Sequence, residues 1–190
     1  HVKLGLMVGY GHEGFVAREA GENESSLSLN AIEWVCRGSA GIVGLDSTFD
    51  SFEDELAARG HTVVKSVTPS DLDDVDCFVT EFWNTYSDAE NALILDFLTA
   101  GGGLVMGGHS WYWSYSNDDV AHDYPGNKIS QTTGLFVSSD SGSAHFDLGQ
   151  GAPDRLQRAH PAIEACRSHL VDGDLLSTDD ADIASATIIR

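Results

Sequence analysis

Residues Gly101-Gly102-Gly103-Leu104-Val105-Met106-Gly107-Gly108-His109-Ser110-Trp111-Tyr112-Trp113 constrain the fold of this chain more than any other stretch. Three glycines after Ala100 stop a helix, because glycine takes up the left-handed conformation of a helix end without steric penalty. Leu104, Val105 and Met106 form a continuous apolar run, the pattern of a strand covered on both faces. Gly107 and Gly108 then let the backbone turn tightly and carry His109 and Ser110 to the carboxyl edge of a sheet. Ligands of open α/β sheets sit at that edge.

The neighbouring segments repeat the alternation. Val2–Val8 reads as a strand, Gly9–Gly14 as a glycine-rich turn and Gly14–Ala17 as a second strand. Ser25 or Ser26 caps a helix with Leu29, Ile32, Val35 and Cys36 inward. Gly41–Leu45 is a short buried strand, and Thr48–Arg59 an amphipathic helix with Phe49, Phe52, Leu56 and Ala57 on one side. Thr62–Val67 and Val75–Val79 are further strands, the latter ending at Glu81, and Ser87 caps a helix over Asp88–Ala100. Short connections in a strand–helix alternation predict an α/β fold, a mostly parallel sheet between helices.

Beyond Trp113 the pattern loosens. Ser114–Gly126 reads as a polar surface loop, Asn127–Ile129 as the start of an element and Gly134–Ser138 as a strand. Ala152–Leu170 holds a helix that starts near Pro161 and turns Ile163, Cys166 and Leu170 inward; Ser177 or Thr178 caps a last one. Residues 1–150 are expected to be one α/β domain, and residues 151–190 its helical extension or the start of the next. The chain begins at His1 without an initiator Met and ends at Arg190 within a helical pattern, as expected of a processed chain or a piece of a longer one.

Ten basic against 30 acidic residues give a net charge of −20, which excludes a nucleic-acid backbone or an anionic membrane surface as partner. No run approaches the roughly 20 apolar residues that span a bilayer, so no direct membrane insertion is expected. Such an acidic surface suits salty or secreted surroundings, and Asn23-Glu24-Ser25 is a glycosylation acceptor triplet. Cys36, Cys77 and Cys166 lack the short spacing of a zinc knuckle or a disulfide framework. Cys36 and Cys77 lie in apolar segments and read as small buried hydrophobes rather than a pair.

Three chemistries can be weighed. A nucleophile elbow needs Cys or Ser on a strained strand-to-helix turn beside oxyanion-binding N–H groups. Here His109 takes the nucleophile's place and Ser110 follows one residue late, with His122, His145 and His160 in no diagnostic context. A metal is not indicated: Gly11-His12-Glu13-Gly14 opens like a His-Glu-x-x-His helix, but position 16 is Val. Asp118, Asp119, His122 and Asp123 match no calcium loop and read as an exposed acidic loop. The Gly9-x-Gly11-x-x-Gly14 spacing is no dinucleotide fingerprint without a following helix, so no cofactor is expected. Two aromatic groups, Phe82, Trp83 and Tyr86 and then Trp111, Tyr112, Trp113 and Tyr115, follow two sheet ends. They either face a sugar or an apolar partner or roof the sheet, with Trp111 the better core candidate.

The Gly101–Trp113 motif, followed by Pro125-Gly126-Asn127-Lys128-Ile129 and Thr133-Gly134, resembles a domain found with the peptidase of enhancin-like, mucin-degrading metallopeptidases. It is also similar to the corresponding region of the TRP channel-associated factor proteins. Gly11–Gly14 and Asn30-Ala31-Ile32-Glu33-Trp34 fit the same pattern, and the resemblance covers roughly residues 2–140. It implies a class I glutamine amidotransferase-like, flavodoxin-like sandwich whose elbow Cys is missing, without the separate zinc peptidase domain. A non-catalytic binding or assembly module of a larger secreted or cell-surface protein follows as the expectation. The alternative location is the cytoplasmic face of the plasma membrane.

Glu13, Glu81, His109, Ser110, Trp113 and Asn127 would line its pocket, shaped by Gly103, Gly107, Gly108 and Trp111. The partner would be a glycan or a protein, including other domains of the same polypeptide. The rival expectation is a hydrolase or amidotransferase relative using His109 or Ser110 with Glu81 or Glu13.

Overall fold

The computed structural model describes residues 5–16, 23–38, 40–139, 159–171, 173, 176–178, 180–181 and 184–185. Five strands form one sheet: β1 (Leu6–Tyr10), β2 (Ile42–Leu45), β3 (Thr62–Val64), β4 (Cys77–Glu81) and β5 (Gly103–Gly107). Their order is β1-β5-β4-β2-β3, and every pairing is parallel. Helices α1 (Asn23–Val35), α2 (Glu53–Ala58) and α3 (Asp88–Thr99) connect them. The α/β architecture expected from the sequence is present.

Side-chain alternation along the central strands feeds two cores, one per face. Val43, Leu45, Cys77, Val79 and Val105 pack under Leu29, Ile32 and Val35 of α1 and under Phe49, Phe52 and Leu56. Phe78, Leu104 and Met106 face the other way, onto Leu72, Ile94 and Leu98. β5 is buried along its whole length, as its apolar run predicts.

Helix α3 starts and stops where the sequence says. Ser87 Oγ accepts from the Glu90 N–H, while the Glu90 carboxylate accepts from the Ser87 N–H at 2.8 Å. Gly101, at φ 106°, ends it in the left-handed region.

Several expectations are corrected. Gly14–Val16 is not a strand, and Ala17 lies outside the described residues. Glu13–Phe15 form a 3-10 turn instead, because His12 Nδ1 accepts from the Gly14 N–H and closes the chain locally. The Thr48–Arg59 helix is split into a 3-10 segment, Ser47–Phe52, and α2, since Asp46 caps it through the Thr48 N–H. β3 ends at Val64, with Ser66 at φ 54° held by Asp50. Helix α1 begins at Asn23, before the expected caps, and the side chains of Asn23, Ser25 and Ser26 lie outside what is described. Residues 135–138 form no strand; Asn127, in the short helix α6 (Asn127–Ser130), takes the hydrogen bonds of Val137 that a neighbouring strand would.

Cys36 and Cys77 form a disulfide, with Cα atoms 5.2 Å apart. Helix α1 packs across β4 and β5, so its C-terminus lies over the first residue of β4 at bridging distance. Two apolar-context cysteines on a helix end and a strand start gave no hint of this in the sequence.

The chain divides into two compact units, His1–Gly142 and Ser143–Arg190. Between α3 and the end of the first unit also lie the single-turn helices α4 (Ser110–Trp113) and α5 (Val120–Asp123). In the second unit, α7 (Ala159–Val171) buries Ala162, whereas Ile163 and Leu170 are exposed, against expectation. Helical spacing selects a stripe but does not say whether anything covers it. Ser177 Oγ accepts from the Asp180 N–H, as expected of a cap. Among the described residues no helix is long and apolar enough to cross a membrane.

Candidate functional site

The sheet order reverses direction between β2 and β4, and the crevice there is filled by the protein itself. Asp46, just past β2, is buried and accepts from the backbone N–H groups of Thr48 and Glu81 and from Asn84 Nδ2. Asn84 Nδ2 also donates to Thr80 Oγ1, which is 2.7 Å from the Tyr86 hydroxyl. Asp46 was not among the expected site residues; an Asp directly after an apolar strand and before a helix was the signal available.

The polar groups left open gather one step along, where β1 and β5 end together. Tyr10 pairs with Gly107, and the Gly108 N–H donates to the Tyr10 carbonyl. Two residues on, this register sets His12 beside His109, and their rings stack at 4.6 Å, the spacing of neighbouring strands. Glu13 Oε2 lies 2.5 Å from His109 Nδ1 and 3.6 Å from His12 Nδ1. A Cβ on Gly107 would meet Val16 Cγ2 at 2.3 Å and Glu13 Cα at 3.0 Å, so only glycine lets the Glu13 turn settle on β5. Gly108 is crowded likewise by Phe82, Trp83 and Tyr124.

Glu81 borders the same edge. Burial raises its carboxyl above the usual range, the negative charges of Asp46 and Glu13 add to this, and His109 opposes it. Tyr124 is pushed strongly up by burial and by the same two glutamates, Glu13 and Glu81. Its hydroxyl and the Trp83 indole N–H are buried with no hydrogen-bond partner.

Of the expected pocket residues, the structure brings Glu13, Glu81 and His109 together and turns the other three inward. Ser110 is buried and donates to the Ser138 carbonyl, facing neither a base nor an oxyanion cradle. Asn127 is wholly buried and bonds Val120, Val137 and Ser130. Trp113 packs on Tyr124 at 5.5 Å against the second core. Trp111 instead contacts His109, Tyr112 and Tyr115 at 5.5–5.8 Å, exchanging the roles expected of the two tryptophans. Tyr112 is 56% and Tyr115 75% exposed, giving the edge an aromatic crown. His12 was tested in the sequence only as the start of a helical motif, and the partner it needed lay 97 residues away.

Comparison with known proteins places this geometry. The TRPM8 channel-associated factor homolog of Danio rerio is 34% identical over 135 residues, 70% of this chain and 14% of that protein. The Xenopus laevis homolog is 33% identical over 115 residues, covering 60% of this chain and 12% of that protein. TRPM8 channel-associated factor 2 of Homo sapiens is 28% identical over 152 residues, 78% of this chain and 16% of that protein. The chain thus spans less than a fifth of the length of the relatives it matches. No solved structure matches it. These relatives overturn the expectation of a secreted, peptidase-associated module, for they are named as factors of an ion channel. Residues 4–147 match the family described as "TRPM8, N-terminal domain", and the chain belongs to that N-terminal domain family of the TRPM8 channel-associated factors.

Proposed function

We propose that this domain is a non-catalytic docking module for a channel protein, working at the cytoplasmic face of the membrane through the aromatic crown of its sheet edge. The relatives' names supply the partner class, a TRPM8-type channel. The observation that carries the surface is the exposure of Tyr112 and Tyr115 beside half-buried Trp111, in ring contact at 5.6–5.9 Å. Clustered aromatic side chains supply large contact area at low entropic cost and dominate many protein interfaces. The enzyme reading is weakened because Ser110 is committed to a carbonyl and His109 to Glu13.

The test is capture of the purified cytosolic segments of a TRPM8 channel on the immobilised chain. The double variant Tyr112→Ala/Tyr115→Ala should bind about tenfold or more weakly, with an unchanged far-ultraviolet spectrum. Equal binding by the variant would refute the surface. Glycan capture without channel capture, or ester or amide turnover abolished by Ser110→Ala, would refute the function.

A further inference from the structure

We propose that His12, Glu13 and His109 form an open three-ligand site for a divalent transition metal, with zinc as the ion. One ligand atom from each lies within 4.8 Å of the other two. Two imidazoles and one carboxylate are the donor set of zinc sites that keep a fourth position open. Calcium and magnesium prefer oxygen-only shells and are disfavoured by two nitrogens in three. With bonds of about 2.0–2.1 Å, tetrahedral zinc separates its ligand atoms by roughly 3.3 Å. The 2.5 Å and 3.6 Å separations from Glu13 Oε2 bracket that value and the imidazole–imidazole separation is within 4.8 Å, so loading needs shifts on the order of an ångström in side chains already in place.

The positions are held by the fold. His12 and His109 are set side by side by strand register, and Glu13 is set by the close packing of its turn on Gly107. Side-chain exposures of 46%, 28% and 18% for His12, Glu13 and His109 leave the cluster open to an incoming ion on one side. The metal takes the place of the hydrogen bond between His109 Nδ1 and Glu13 Oε2, the bridging hydrogen leaving to solvent, and a metal-bound imidazole carries its N–H on Nε2. His12 Nδ1 exchanges its bond from the Gly14 N–H for the metal.

Charge favours the exchange. Glu13, Glu81 and Asp46 converge on this edge, and among the described residues no lysine or arginine pairs with them. A bound dication joins the loop after β1 to the loop after β5, so occupancy stabilises the folded chain by mass action. The site borders the aromatic crown, His109 lying 5.5 Å from Trp111, but it does not rest on the docking reading, and its test reads the metal alone.

The chelator-treated 190-residue chain is titrated with zinc chloride by calorimetry, with melting temperature and the visible spectrum of the cobalt(II) form as further readouts. The expected result is one saturable equivalent, a melting temperature raised by several degrees, and tetrahedral cobalt bands. His12→Ala and the isosteric Glu13→Gln, each shown folded by circular dichroism, should weaken uptake by more than the roughly 10–100-fold loss seen when a supporting group is removed. His122→Ala and Cys166→Ser should leave it unchanged. Absence of saturable uptake would overturn the site, as would uptake that survives His12→Ala and Glu13→Gln or is lost in His122→Ala or Cys166→Ser.

Discussion

Asn127 has no exposed surface, and its whole amide is in use. Its Nδ2 donates to the carbonyls of Val120 and Val137, and its Oδ1 accepts from the Val137 N–H and the Ser130 hydroxyl. These bonds hold the segment after α6 in place of a strand neighbour. Asn127→Ala strands two carbonyls and an N–H in the interior, so a loss of about 2–3 kcal/mol is expected from denaturant midpoints. Channel capture by the molecules that remain folded should persist, because the amide does not reach the aromatic crown. The sequence identified this residue but not its direction. A polar side chain in a glycine-rich motif looks the same whether it faces a ligand or the backbone behind it. Ser110 and Trp113 were misdirected for the same reason, whereas Glu81 ends β4 and His109 and Glu13 stand two and three residues past β5 and β1, close enough to the sheet edge for the strands to place them.

Helix α3 shows what local chemistry makes legible. Ser87 and Glu90 satisfy each other's backbone donors; the sequence marks Ser87 as the cap, and Glu90 three positions on completes it. Ser87→Ala should destabilise the chain by about 1 kcal/mol near neutral pH. The Ser87 hydroxyl and N–H hold the Glu90 carboxyl below the usual carboxylate range. A depressed carboxyl contributes stability that is present above its unfolded pKa and is lost as pH falls through its folded value. The gap between wild type and Ser87→Ala should therefore narrow on acidification below about pH 4, as thermal melts across that range would report. A gap that widens on acidification would contradict this cap. Elements whose form depends on distant contacts were less legible. The Thr48–Arg59 pattern is apolar at helical spacing, yet Asp46, tied to Glu81 and Asn84 across the sheet, starts the segment as 3-10. The disulfide likewise depends on how α1 crosses β4, which no spacing records.

At the scale of the whole molecule, both apolar cores found among the described residues lie in the first unit. The residues of both core clusters lie between Leu6 and Val137, and all five strands end by Gly107. We propose that residues 1–150 constitute the folding domain and residues 151–190 an extension of it. A chain stopped at Gln150 should melt cooperatively, within a few degrees of the 190-residue chain, with a similar near-ultraviolet spectrum. Loss of the cooperative transition would show that the extension is needed. The layered architecture was legible from the sequence because buried strands and capped helices announce themselves over four to twelve residues. Strand order was not, since neighbours in this sheet are as far apart in the chain as β1 and β5.

That pairing makes the His12–Glu13–His109 cluster depend on counting. Six positions separate Leu6 from His12 and six separate its partner Gly103 from His109. Exchanging one aliphatic residue for another along either ribbon preserves the tally. Losing or gaining a single residue in one of them shifts the rings out of step and sends alternate side chains to the opposite face. In a lineage of such domains, indels here would erase the cluster more surely than most replacements.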